Sequence, residues 1–324
     1  FQAPISEYGE IREQYRLTNM LHMFVNDFGD ILAPMEAVEP KTNITVNDLS
    51  SLRYCMRTDG NSGFVFINHY QRSAKMKDIH NVVIDTGKVQ FPPITICDNM
   101  SFFLPFYMDL SGNLLEYATT QPLCQIDDTY FFAAIDGIEA EYKFTDGSRF
   151  DQEPDNILKR NGIQIVTLSW DRAKYARKLS DTLYIGDNCD LYEYDGNICS
   201  VQDGDFAYDK WNGSAFEHVM VQQEWKQADI TFESVDEPFT PPYADELNIG
   251  GERKRIWKKV SVSNDIGFID IQDQYDVAQI YADGEFVADN FYYGKPWRVP
   301  ARMLYGKVCY LVMSEMKDDF YREF

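Results

Sequence analysis

The sequence contains few of the residues from which catalytic and metal sites are usually built. Only four histidines occur among 324 residues, and the six cysteines form no C-x-x-C pair. A zinc site therefore has little support, because structural zinc sites take cysteine and histidine ligands at short, paired spacings. The sequence also lacks a G-x-S-x-G nucleophile motif, a glycine-rich phosphate loop and the spacing of an EF-hand. We predict no metal and no cofactor.

Positive charge is also scarce. The chain has 30 Lys and Arg against 52 Asp and Glu, which gives a formal net charge of −22. A surface this acidic repels phosphate backbones and anionic lipids, so we predict neither a nucleic acid nor a membrane partner. No apolar run is long enough to span a bilayer. The one basic run, GERKRIWKK at 251–259, predicts a strand with an exposed Lys/Arg face, and docking onto an acidic surface is the alternative.

The spacing of the six cysteines does not match a disulfide framework. The chain is long enough to bury an ordinary core, so we expect free and mostly buried thiols. Cys189 and Cys199 flank the segment DLYEYDGNI, and the alternative is that they face each other across a hairpin.

Aromatic residues, in contrast, are abundant, with 22 Phe and 21 Tyr separated by frequent Gly, Asp and Asn. Short apolar runs with turn signals between them favour strands joined by tight turns. Examples are a hairpin of residues 52–57 and 64–69 around TDGNSG, and a hairpin at ADG, 282–284, with Gly284 at positive φ. A short helix capped by Ser169 and running to about Leu179 interrupts this rhythm. The sequence therefore predicts a mainly β chain of successive antiparallel β-sandwich or jelly-roll domains.

The N-terminal segment differs, because its apolar residues recur at helical spacing. Ser6 is the predicted N-cap and Gly29 the predicted end of this amphipathic helix. Its apolar stripe consists of Ile11, Tyr15, Met20, Leu21, Phe24 and Phe28. A stripe this apolar must pack against something. We expect the helix either to dock on the first sandwich or to lie at a contact between chains.

Two proline-containing connectors divide the chain. ILAPMEAVEPKTNITVND follows the helix, and ESVDEPFTPPYADE precedes the last segment. The predicted units are 1–37, the helix and its connector, then 38–235, a β-sandwich region with an internal break near 150–160, and 236–324, a C-terminal jelly roll.

Four segments, in this order, resemble glycoside hydrolase family 35 β-galactosidases. FQAPISEYGEIREQYRLTNMLHMFVNDFG is similar to the segment that closes the family's catalytic barrel and leads into its last helix. LRYCMRTDGNSGFVFINHYQR resembles the first β-domain hairpin, and FFLPFYMDLSGNLLEYATTQPL the block that follows it. DVAQIYADGEFVADNFYYGKPWRV resembles the final galactose-binding-like jelly roll.

The resemblance implies that the first helix is left over from a (β/α)₈ barrel and that the parent is a retaining β-galactosidase. The family's two catalytic glutamates come from earlier barrel strands, and no residue here matches either motif. The chain alone is therefore expected to be inactive, with its sandwiches supporting the barrel, the pocket rim and an oligomer. The implied partners are the missing barrel of the same polypeptide, a β-galactoside and further copies of the chain. A bacterial cytoplasmic location is expected, and secretion stays open.

Candidate site residues are few. Phe1 stands where the family usually carries an aromatic residue that contacts galactose, and Gln2 where an aspartate is common. Glu7 and Glu10 precede the helix and are expected to have structural or capping roles. The alternative function is a free-standing carbohydrate-binding protein with an exposed aromatic platform, for which the candidates are Trp297 and Tyr293. Such residues more often fill a core, so we expect Trp297 to be buried with its indole N–H hydrogen-bonded.

Overall fold

The computed structural model describes residues 3–39, 44–45, 47–71, 74–202, 204–223, 230–248, 251–263, 267–292 and 294–317. These residues are mainly β, as predicted, with several antiparallel sheets. They form two compact units, one of residues 13–223 and the other of residues 1–12 together with 224–324. This division differs from the predicted one, because the helix belongs with the region that follows it, while the residues before it group with the C-terminal region.

The unit of residues 13–223 contains two helices and three main sheets among its described residues. Its elements in chain order are α1 Glu13–Leu32, β1 Glu36–Val38, β2 Tyr54–Thr58, β3 Gly63–His69, β4 Ile79–Val82, β5 Ile94–Ile96, β6 Met100–Leu110, β7 Asn113–Ala118, β8 Thr120–Ile126, β9 Thr129–Ala134, β10 Ala140–Phe144, β11 Arg149–Gln152, β12 Ile157–Arg160, β13 Ile163–Leu168, α2 Trp170–Lys174, β14 Ala176–Leu179, β15 Thr182–Gly186, β16 Leu191–Tyr194, β17 Asn197–Ser200, β18 Phe206–Trp211 and β19 Phe216–Val221.

The three main sheets of this unit pack as layers. The first has the strand order β1-β2-β3-β6-β7-β10-β11, the second β12-β13-β9-β8, and the third β14-β15-β18-β19. Strand β9 shows why the second sheet is central, since successive side chains of a strand point to opposite faces. Tyr130 and Phe132 pack into the core shared with the first sheet, and Phe131 and Ala133 into the core shared with the third. The region around 150–160 runs from the first sheet to the second.

Helix α1 docks on this layered region, which is the first of the two arrangements predicted for it. Phe24 and Phe28 lie in the core of the first two sheets. The ring centroid of Phe24 lies 5.0 Å from that of Phe64 and 4.5 Å from that of Phe103. Met20 and Met23 enter the core between the second and third sheets. One helix therefore closes two cores.

The ends of α1 differ from the prediction. Ser6 does not cap the helix, because its Oγ accepts the N–H of Glu10 at 2.9 Å inside a loop closed by a β-bridge between Ile5 and Ile11. That bridge holds Ile11 outside the helix, which begins at Glu13. Gly29 does not end the helix either, since its carbonyl accepts the N–H of Ala33 at 2.7 Å and helical geometry continues to Leu32.

Helix α2 starts where the sequence predicts and ends earlier. Ser169 is its N-cap and accepts the N–H of Arg172 at 3.4 Å. The helix ends at Lys174 rather than near Leu179, because the residues from Ala176 onward pair with β15 as strand β14.

The other unit is built around one larger sheet. Its elements are β20 Ile230–Val235, a 3₁₀ turn Glu246–Asn248, β21 Arg255–Val262, β22 Phe268–Ile271, β23 Val277–Ala282, β24 Glu285–Phe291, β25 Trp297–Pro300, a second 3₁₀ turn Ala301–Met303 and β26 Cys309–Ser314. The sheet order is β20-β21-β26-β23-β24, and β22 pairs with β25 over one face of it. The basic run thus forms the strand that the sequence predicts, β21, inside the sheet.

Two further predictions are confirmed. The ADG segment joins β23 and β24 with Asp283 and Gly284 at φ of 53° and 80°, the left-handed conformation that a two-residue hairpin turn requires. All six cysteines are free as predicted, but only Cys124, Cys189 and Cys309 are buried, so the thiols are not mostly buried. Cys199 pairs with Tyr192 across the β16–β17 hairpin rather than with Cys189.

Two tyrosines of the unit formed by residues 1–12 and 224–324, here called the C-terminal unit, are expected to make the chain less stable at high pH. Burial, reinforced by the Glu7 carboxylate, raises the pKa of Tyr8 from 10.0 to about 12, and burial raises the pKa of Tyr281 to about 12. Between these values the folded chain keeps protons that the unfolded chain releases. The stabilisation is therefore complete below pH 10 and is lost as the pH rises to 12. The denaturant concentration at the midpoint of unfolding should fall as the pH rises from 10 to 12. In the folded chain, the absorbance of these two tyrosinates should appear only near pH 12. Titration of every tyrosine near pH 10 in the folded chain would contradict this.

Candidate functional site

Helix α1 carries a second apolar row that the sheets leave uncovered. Leu17, Leu21 and Val25 are spaced by four residues and so lie on one side of the helix. Their exposed fractions are 42, 40 and 41%, whereas Phe24 and Phe28 are buried. The predicted stripe included Leu21 but neither Leu17 nor Val25, although the i, i+4, i+8 spacing was visible in the sequence. A helix apolar on two sides is typical of one packed between two partners.

An open groove of about 610 Å³ lies beside this row. Its lining comes from α1, β2, β3, β6 and β8, from the residue before β2 and from the first residue of α2. The lining residues are Leu17, Thr18, Met20, Leu21, Arg53, Tyr54, Cys55, Phe66, Ile67, Asn68, Ser101, Phe102, Phe103, Gln121 and Trp170. No carboxylate is among these lining residues. The groove offers apolar contact area and has no paired acids for hydrolysis.

The polar groups of the groove are held by neighbours within the same unit. Arg53 donates to the side-chain oxygen of Gln71 at 2.8 Å and to the carbonyl of Asp48 at 3.0 Å. Ser101 donates to Asn68 at 3.1 Å, and the side-chain oxygen of Gln121 accepts the N–H of Phe103 at 3.3 Å. These groups are already hydrogen-bonded, so an apolar partner that covers Asn68, Ser101 and Gln121 and leaves the Arg53 charge in solvent loses little solvation there.

Two ion-pair clusters fix the position of α1 against the third sheet. Asp190 accepts from Arg16 of the helix, with the closest contact at 2.7 Å, and from Arg177 of β14 at 2.7 Å. Burial lowers the pKa of Arg177 below its usual value, and the Asp190 charge opposes this. At the other end of the helix, Asp27 accepts from Lys178 at 2.7 Å. The uncovered row is therefore presented on a helix with a defined orientation.

Of the predicted substrate-binding residues, the structure describes only Trp297. Phe1, Gln2 and Tyr293 lie outside the described residues. Trp297 is only 3% exposed and belongs to the core of the C-terminal unit, so its predicted burial is confirmed. Its ring is therefore unavailable as an exposed platform, while the hydrogen bond of its indole N–H stays a prediction.

Glu7 and Glu10 lie in the loop that precedes α1. Because the helix begins only at Glu13, neither carboxylate belongs to its first turn, and the capping role expected for them has no helix end to act on.

The described residues contain no group of three or more His, Cys, Asp or Glu arranged to hold a metal ion. None of the helices in the described part of the chain is long and apolar enough to cross a membrane. No known protein family matches the chain, and no curated protein matches it.

Proposed function

We propose that this chain is the non-catalytic C-terminal region of a retaining family 35 β-galactosidase, whose parent hydrolyses terminal non-reducing β-D-galactose residues. In this proposal α1 is the last helix of the catalytic barrel, and the sheets behind it support the barrel and its pocket rim. The resemblance of four segments, in the family's order, supports the proposal, and so does the mainly β fold that follows the helix.

The observation that carries the proposal is the uncovered row on α1. A helix of a barrel packs with one side toward the barrel and with the other toward whatever surrounds it. Here one side is packed on β-sheets and the other still exposes Leu17, Leu21 and Val25 beside an apolar groove. Burying a Leu or Val side chain fully contributes about 1.5–3 kcal/mol. Covering the remaining 40% of three such side chains would contribute roughly 2–4 kcal/mol toward docking of a domain.

Complementation in trans tests this function. Family 35 catalytic barrels, cut before their last helix, would be co-expressed with this chain, and hydrolysis of a chromogenic β-galactoside would be measured. We expect no turnover by the chain alone, since retaining hydrolysis needs two carboxyl groups about 5–5.5 Å apart in a sugar pocket. With the barrel present, activity should copurify with the chain. The coding sequence upstream of Phe1 should also encode a barrel.

A matched pair of substitutions locates the docking face. Leu21→Lys places a charge in the uncovered row and should lower complemented activity at least tenfold, because a lysine buried at the interface is costly to desolvate. Leu114→Lys makes the same change on β7, at a leucine that is also 40% exposed and lies outside the groove, and should leave activity within twofold. Equal behaviour of both variants, or turnover by the chain alone that is lost on replacing one of its glutamates, would contradict the proposal.

A further inference from the structure

Strand β20 lies at an open edge of the main sheet of the C-terminal unit. Within the described residues it pairs only with β21, along a register that runs without a shift from Ile230 opposite Val262 to Val235 opposite Trp257. The residues between its two ends are exposed. In the part of the chain that the structure describes, no strand lies on its other side. An edge of this kind presents backbone N–H and C=O groups that serve as a template for one more strand.

The opposite edge of the same sheet, β24, is protected in two ways that β20 is not. Its pairing with β23 shifts register between Ile280 and Tyr281, and a bulge twists an edge away from a flat partner. The loop of Tyr8 also lies beside the second half of β24, since Tyr8 and Asp289 line one small cavity. Strand β20 itself contains neither proline nor lysine, the residues that most often protect an exposed edge.

The charges beside the open edge are balanced within the chain. The basic run of the sequence forms β21, so Lys259 stands opposite Glu233, the one acid of β20. Opposite charges at facing positions stabilise a strand pair. Lys258 pairs with Asp273 at 2.5 Å. A chain with a net charge of −22 repels its own copies over most of its surface, and this edge is a place where that repulsion is weak.

A second copy of β20 fits this edge in one register. Facing residues must point to the same side of the sheet, so one residue of an antiparallel, twofold pair has to face its own copy. If that residue is Phe232, all of 230–234 are paired and Thr231 faces Glu233. If it is Glu233, two carboxylates stand face to face, which is destabilising. If it is Thr231, only the three residues from Ile230 to Phe232 are paired within the strand.

The register centred on Phe232 also joins the apolar rows of the two copies. Phe232 stands opposite Val260 of β21, which is buried in the core beneath β22 and β25. Ile230 and Val262 pack against the same core. Phe232 itself is 40% exposed, and its copy would cover it. Apolar side chains would then follow each other across four strands, and their burial favours the pair.

We infer that the edge of β20 is a self-association surface, at which two copies of the chain pair antiparallel through residues 230–234 with Phe232 on the twofold axis. The two sheets of five strands become one continuous sheet. Five residue pairs make a small interface, below the about 1,200 Å² that separates weak from stable complexes, so association depends on concentration. The inference comes from the sheet alone and does not rest on the proposed function.

Analytical ultracentrifugation of the purified chain from ~10 µM to ~1 mM tests the inference. The average mass should rise with concentration toward that of a dimer. Phe232→Lys sets two ammonium groups face to face on the axis and should weaken association about tenfold or more. Phe286→Lys makes the same change on β24, at a phenylalanine that is 38% exposed, and should stay within twofold. Leu21→Lys, in the uncovered row of α1, should also stay within twofold.

A pair of cysteine variants tests the register. Facing residues of an antiparallel pair are close enough for a disulfide, so Phe232→Cys should form a covalent dimer with oxidised glutathione as the oxidant. Glu233→Cys lies one residue along and faces Thr231 of the copy. It should cross-link no more than the unsubstituted chain, which carries the same six native thiols.

The inference is overturned if the chain stays monomeric up to ~1 mM, a result that would leave the edge to a strand of another protein. It is equally overturned if Phe232→Lys and Phe286→Lys associate alike, if Leu21→Lys abolishes association, or if the two cysteine variants cross-link to the same extent. Circular dichroism checks the folding of each variant, and if Phe232→Lys does not fold, the cysteine pair decides. Failure here would leave trans-complementation unaffected, because the groove on α1 and this edge belong to different units.

Discussion

Replacing Asp190 by alanine is expected to lower the free energy of unfolding by about 3–5 kcal/mol, the usual cost of removing one partner from a buried ion pair. The Asp190 and Arg177 side chains are each 4% exposed, and their atoms lie 2.7 Å apart. Arg16 reaches the same carboxylate from α1. The alanine variant would leave the buried Arg177 guanidinium without a counter-charge and beside Arg16, whose remaining carboxylate partner is Glu13 at 3.4 Å. Urea unfolding, followed by circular dichroism, measures the change.

The control for Asp190→Ala is an ion pair on the surface of the same unit. Glu116 pairs with Lys143 at 2.8 Å, with both side chains partly exposed, so Glu116→Ala should cost less than about 1 kcal/mol. A variant with Asp190→Ala and Arg177→Met should recover part of the loss, since it removes the uncompensated buried charge. If Asp190→Ala and Glu116→Ala cost the same, the Asp190 cluster does not fix α1 in the way the structure indicates.

The strands could be predicted because their signal is local. The run TYFFAAI is apolar at consecutive positions, and it forms β9, which is buried on both faces. The hairpin around TDGNSG carries its turn residues between two apolar runs, and it forms β2 and β3. Such patterns depend on side chains within a few residues of each other, so a single sequence contains them.

The start of α1 could not be predicted, because two local structures compete for the same residues. Ser6 ahead of apolar residues at helical spacing reads as an N-cap and therefore as a helix start. The backbone of Ile5 instead pairs with Ile11, and Gly9 supplies the positive φ, 91°, that the intervening loop needs. The β-bridge between Ile5 and Ile11 leaves no periodic pattern of apolar residues in the sequence, so an analysis of hydrophobic periodicity does not detect it.

The burial of the charged residues Asp190 and Arg177 could not be predicted from the sequence either. Asp190 and Arg177 lie in a chain full of acids, where surface exposure is the ordinary expectation. Their burial depends on Arg16, which is 174 residues from Asp190 along the chain. The groove has the same origin, since it combines residues of α1 with strands β2, β3, β6 and β8.

Replacing Phe24 by alanine should also lower the free energy of unfolding by about 3–5 kcal/mol. Its side chain is 0% exposed, and its ring packs edge-on against Phe64 and close to Phe103. Alanine there would open a cavity at the point where α1 enters the core of the first two sheets. Hydrogen exchange should then rise most strongly in the amides of α1, since the helix loses its largest contact with the sheets.

Val25→Ala is the matched control for Phe24→Ala, because it makes the neighbouring residue of the same helix into alanine. Val25 is 41% exposed and lies in the uncovered row, so the change removes little buried surface and gains helix propensity. Its effect on unfolding should lie within about 0.5 kcal/mol. Comparing the two separates docking of the helix from its intrinsic stability. If both variants lose the same stability, the packed and uncovered sides of α1 do not differ, and the row beside the groove is no longer a special surface.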